Sequence, residues 1–76
     1  MTEKEWLNAF GNKLNYFLKK YDVSQKELAD KLNVSEATIS KYVNGVMFPS
    51  IKMVVNISHI LSVQIHDLVY FESRID

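Results

Sequence analysis

Residues 24–45 read SQKELADKLNVSEATISKYVNG, and their spacing resolves into two short helices joined by a tight turn. Ser24 stands three residues before Glu27. That is the spacing of a capping box, in which hydroxyl and carboxylate each satisfy an amide that the first helical turn leaves open. Leu28, Ala29 and Leu32 recur as one apolar side. Asn33 follows, and Asn is among the few residues besides Gly that accept the left-handed backbone of a tight turn. Ser35 caps the next helix, and Asn44-Gly45 is a stop signal.

The helix over 35–44 has a polar face with no partner inside the segment. Advancing about 100° per residue from Glu36 places Ala37, Ser40, Lys41 and Asn44 within an arc of about 140°. Ile39, Tyr42 and Val43 fall outside that arc, toward a core, and Thr38 sits at the boundary. The outward face is short-chained with a single long cation, so it can approach a base edge closely. In a major groove, Lys41 can donate to guanine O6 and N7, and Glu36 can accept from the cytosine amino group. Ala37 and the Thr38 methyl can pack on a thymine methyl. Gln25 and Asn44 suit phosphate oxygens, helped by the positive ends of the two helices. Phosphate contacts fix register, and base contacts carry sequence preference.

Each of these residues also has a plainer explanation. Lys41 is an ordinary exposed helix lysine on that account, and Glu36 an acid favoured by the helix dipole at its N-terminus. Gln25 is equally at home at a helix start. Lys13, Lys19, Lys20, Lys26 and Lys52 read as a solvated face.

Outward from this unit, helical spacing continues in both directions, giving five helices and no strand pattern. The first runs from about Glu3 to Tyr21, with Thr2 and Glu5 at capping-box spacing and Trp6, Phe10, Leu14, Phe17, Leu18 and Tyr21 along one side. Gly11 interrupts it at a cost of roughly 1 kcal/mol relative to Ala, which marks a close approach by another segment. Val46–Pro49 reads as a loop. A fourth helix starts near Ser50 and is expected to bury Ile51, Val54, Ile57 and either Ile60 or Leu61. After the turn Ser62-Val63-Gln64, Ile65–Phe71 forms the last helix. The chain is expected to be one all-α domain over 1–76.

Length and composition bound the function classes. The chain has 76 residues, 47% of them hydrophobic, which is enough for one modest core. It has no cysteine, so disulfides and thiolate metal sites are excluded. His59 and His66 have only Asp67 nearby, and no metal site is expected. The only glycines are Gly11 and Gly45, so there is no Gly-rich phosphate loop. No nucleophile has a histidine and an acid arranged around it, and neither an enzyme, a cofactor nor a small-molecule ligand is expected. The longest apolar run, Leu68–Phe71, is too short for a membrane span. The start, MTEKEWLNAF, has no basic region followed by an apolar stretch, so a cytoplasmic location is expected.

Net charge is formally zero, but it is unevenly spread. Residues 10–60 carry seven lysines and four acids, a net of +3, and the two ends carry −3. The positive charge therefore surrounds the proposed reading unit.

The segment Phe10–Leu68 resembles the phage repressor and Cro-type helix-turn-helix family, also called XRE. The marks are SQKELADKL, then NVSEATIS, then NG followed by Pro49, then VQIHDL. The resemblance implies a five-helix lambda-repressor-like domain with the helix-turn-helix at its second and third helices. It implies that the second helix crosses the phosphate backbone while the helix over 35–44 enters the major groove. Gln25 maps onto the family's phosphate-binding Gln, Glu36, Ala37 and Lys41 onto base-reading positions, and Asn44 onto a backbone contact. Base contacts are thus expected from Glu36, Ala37, Thr38 and Lys41, and phosphate contacts from Gln25, Ser35, Ser40 and Asn44. Two family features are absent. The turn has Asn33 where Gly is usual, and Leu18 and Val43 replace a buried Arg–Glu pair, a swap that leaves folding intact. A third departure is the single basic residue on a reading helix that begins with an acid.

The expected function is sequence-specific binding of double-stranded DNA by a small transcriptional repressor, a homodimer on a palindromic operator. Trp6, Tyr70, Phe71 and Ile75 are the apolar residues expected to stay exposed, and the segment from Leu68 is expected to form the dimer contact. The competing reading is a protein-interaction module, such as an antirepressor or antitoxin, with weak DNA binding on the same fold.

Overall fold

All four helix junctions in the computed structural model, which describes residues 2–69, end the preceding helix in the same way. The helices are α1 (Glu3–Lys20), α2 (Gln25–Leu32), α3 (Glu36–Val43), α4 (Ile51–Leu61) and α5 (Ile65–Val69). After α1, the Val23 amide donates to the Leu18 carbonyl at 2.8 Å and Asp22 donates to Lys19 at 3.3 Å. After α2, Val34 donates to Ala29 at 3.0 Å and Asn33 to Asp30 at 3.2 Å. Val46 donates to Lys41 at 2.9 Å after α3, and Val63 to Ser58 at 3.0 Å after α4. These are Schellman motifs, which satisfy the last carbonyls of a helix by turning one residue left-handed. The turning residues are Asp22, Asn33, Gly45 and Ser62, with φ of 55°, 60°, 71° and 56°. Each is followed by valine.

At three of the junctions that valine is at once the end of one helix and the lead-in to the next. Val23, Val34 and Val63 each precede the residue that opens the following helix and are packed against the core. The fourth residue of that helix, Leu28, Ile39 or Leu68, is completely buried. This is the arrangement of a hydrophobic staple, which fixes the angle at which the chain enters a helix. Ser24 and Ser35 cap α2 and α3, accepting from the Glu27 and Thr38 amides at 3.0 and 3.2 Å. The Asp67 carboxylate serves α5 by accepting from the Gln64 amide at 3.2 Å.

The core gathers around Phe10, Leu14, Leu28, Ile39, Ile57 and Leu68, all fully enclosed. Helix α3 packs against both α1 and α2, α4 packs against α2, and α5 closes against α4 and α1. Gly11 lies at the α1–α3 crossing: a Cβ there would sit 2.7 Å from the Tyr42 carbonyl and collide with that of Val43. The end of α3 therefore rests directly on the α1 backbone, as the interruption at Gly11 implied.

Several expected core positions lie elsewhere. Ile51 is 84% exposed. As the first residue of α4 it sits ahead of the elements the helix packs on, and its Cβ tilts toward the N-terminus, away from them. Val54, Ile57 and Leu61 do face inward, and Ile60 is half-buried. Tyr21, at the C-terminal cap of α1, is exposed, whereas Trp6 is exposed as expected. Tyr21 stacks on Phe17 at 6.2 Å, and the Lys20 ammonium lies 5.6 Å from the Tyr21 ring. Leu68, expected at a dimer contact, is wholly enclosed and belongs to the core. Tyr70, Phe71 and Ile75 lie outside the described residues.

Candidate nucleic-acid interface

The outer face of α3 is assembled by local hydrogen bonds as much as by packing. Ile39 and Tyr42 anchor the helix in the core, and Val43 is half-buried beside them. Burial pushes the Tyr42 hydroxyl above its ordinary 10.0, so it stays neutral. With that side fixed, Glu36, Ala37, Lys41 and Asn44 are exposed, while Thr38 and Ser40 are half-buried at the edges. The six residues therefore share one strip, as the helical spacing required.

Two side-chain pairs order the strip. The Ser35 and Thr38 hydroxyls are 2.9 Å apart, and the Ser35 oxygen also accepts the Thr38 amide as helix cap. If Thr38 is the donor, Ser35 keeps its own proton for an outside acceptor. The Asn44 side-chain amide donates to the Ser40 hydroxyl at 3.1 Å. Ser40 retains an O–H donor, and Asn44 retains one N–H and its carbonyl oxygen. The four-residue spacing of Ser40 and Asn44 on a helix is the signal in the sequence for this second pair.

Position along the helix sets the electrostatics. Glu36 lies in the first turn of α3, where the dipole favours a carboxylate, and Lys41 in the last, where it favours a cation. No hydrogen bond or ion pair with another described residue engages the Lys41 ammonium. Gln25, the first residue of α2, is half-buried and stands apart from the strip, one helix earlier in the chain. The α2 N-terminus keeps its cap through Ser24 and Glu27, which leaves the Gln25 side-chain amide out of the capping.

This geometry is two short capped helices, locked at a left-handed Asn33, with the second presenting a polar strip. It coincides with a family model. Residues 14–68 match the model described as helix-turn-helix. The chain belongs to the XRE-type helix-turn-helix family. An uncharacterized HTH-type transcriptional regulator of Methanocaldococcus jannaschii is similar to it. The two are 36% identical over 61 residues, which is 80% of this chain and 92% of the relative. Membership makes the protein a DNA-binding regulator of transcription, and the family is generally not enzymatic. Among the described residues, no helix is long and apolar enough to cross a membrane.

Proposed function

We propose that this helix-turn-helix protein is a repressor that binds a palindromic double-stranded operator as a homodimer and acts by occupying the promoter. Helix α3 lies in the major groove. Glu36, Ala37, Thr38 and Lys41 meet base edges, and Gln25, Ser35, Ser40 and Asn44 hold phosphates. The observation that carries this reading is the polar strip itself. Its hydroxyl and amide side chains are paired as Ser35–Thr38 and Ser40–Asn44 before any ligand arrives, with donors left over at Ser40 and Asn44. Preordered donors bind phosphate without first losing rotamer freedom.

Zero net charge and the acid at Glu36 favour a second reading, a protein-interaction module with weak DNA binding. Selection of the purified protein on a random duplex pool at moderate salt separates the two. Enrichment of a palindrome with half-sites about one helical turn apart supports the operator reading. So does an affinity that falls with salt by a slope of about −0.9 per phosphate neutralised. Folded protein that enriches nothing refutes it.

A further inference from the structure

Three of the four junction valines are stapled into the core, and the fourth is not. Val46 is 65% exposed, and its Schellman bond reaches back to Lys41, which offers no apolar partner. The chain then continues through exposed Met47 and Phe48 to Ile51, the most exposed large apolar residue described, at 84%. Phe48 lies 6.5 Å from the Trp6 ring in an edge-on arrangement. Together Glu3, Trp6, Leu7, Val46, Met47 and Phe48 line an open groove of about 570 Å³. Ile51 is three residues from its edge.

We propose that this groove and the adjacent Ile51 form the surface on which a second copy of the chain docks. The inference rests on the operator reading above for its setting on DNA. A hole beside a knob is self-complementary: about a twofold axis, Ile51 of each copy enters the groove of the other. Charge agrees with shape. Residues 46–51 contain no charged side chain, so this loop brings no like charges of its own to the axis. Lys52 follows the knob and Glu3 lines the groove, so opposite signs meet at the rim. The surface also follows directly on the C-terminal end of α3, so pairing here brings the ends of the two reading helices toward the axis. The face is smaller than the 20–30 residues a side of a standard interface. Pairing is accordingly weak in solution and completed on adjacent half-sites.

The test uses the full chain, with Ile51→Asp and Val46→Ser as variants. The acid of Ile51→Asp stands in the first turn of α4, where the helix dipole favours it, so folding is retained. Circular dichroism checks this. Sedimentation at about millimolar protein should show wild type dimerising and both variants less so. On duplexes with two half-sites against one, wild type should gain about 5–150-fold, the ordinary range of coupling between sites. Ile51→Asp should lose that gain and keep its single-site affinity. Variants that dimerise and couple like wild type overturn the proposal. So does a wild type that stays monomeric and uncoupled, including one that dimerises only once residues 70–76 are removed. Dimerisation sensitive to Ile51→Asp without salt-dependent duplex binding would instead sink the operator reading and uphold this surface.

Discussion

Replacing Gly11 with Ala sets two calculable effects against each other. In an exposed helix the change stabilises by about 1 kcal/mol, because Ala is the better helix former. Here the new methyl would stand 2.7 Å from the Tyr42 carbonyl oxygen and closer still to that of Val43. Restoring ordinary contact at 3.4 Å needs a shift of about 0.7 Å from the Tyr42 oxygen, and more from that of Val43, between α1 and the end of α3. Both colliding atoms are backbone, so no rotamer change relieves them. Overpacking of this kind costs typically 1–3 kcal/mol, and without a side chain to yield, the upper half of that range applies. The net expectation is a loss of about 1–2 kcal/mol, or a Tm lower by about 5–15 °C in a domain this small. Urea unfolding at constant m-value measures it. Because the shift moves α3, affinity for a selected operator should fall further than stability alone explains, while binding to random duplex changes little. A Gly11→Ala protein as stable as wild type, or more so, would show that α3 does not rest on α1 as described.

The left-handed residues make a second comparison. Ser62→Gly should stabilise by about 0.5–1 kcal/mol, since a non-Gly residue pays about 1–2 kcal/mol there and Gly returns part of that as chain entropy. Asn33→Gly should be near neutral, because Asn already tolerates this backbone; thermal melts of the two variants check the order. Hydrogen bonds from the Thr2 amide and hydroxyl hold the Glu5 carboxyl below its ordinary 4.5. A depressed carboxyl stabilises above its unfolded value and loses that contribution as pH falls through the folded one. The Tm gap between wild type and Glu5→Gln should therefore be present at neutral pH and close below about pH 4.5. On DNA, Lys41→Ala should relax preference at one base pair at a cost of about 1–3 kcal/mol, and Gln25→Ala should weaken all sequences alike. Binding measured across single-base operator variants that shows the same pattern for both mutants would refute the division into reader and anchor.

What the sequence made legible was local. Caps at Thr2, Ser24 and Ser35, the left-handed Asn33 and the stop at Asn44-Gly45 are each written in neighbouring residues, and each is where the spacing put it. The Gly11 crossing was readable because a glycine inside a strong helix needs a reason. Ile51 and Leu68 failed for the opposite cause. Periodicity assigns a residue to a face but does not say how far the neighbouring helix extends along it. Ile51 is on the right face beyond the end of the packing, and Leu68 is driven inward by the staple at Val63. The strip on α3 was legible as a face. The Ser40–Asn44 bond that orders it depends on rotamers, which spacing alone does not select.

The junctions leave this chain almost no slack. Between α1 and α2, between α2 and α3, and between α4 and α5, one valine closes the helix behind and opens the helix ahead, so no residue is spare. An insertion at any of them would separate the two tasks and release the following helix from its fixed entry angle. A deletion would remove the left-handed turn or the cap. Only the stretch from Val46 to Pro49 divides these roles among several residues. Length variation among working relatives should therefore collect there and at the two ends. A library of single-residue insertions scored for folding would show three short forbidden zones and one permissive one.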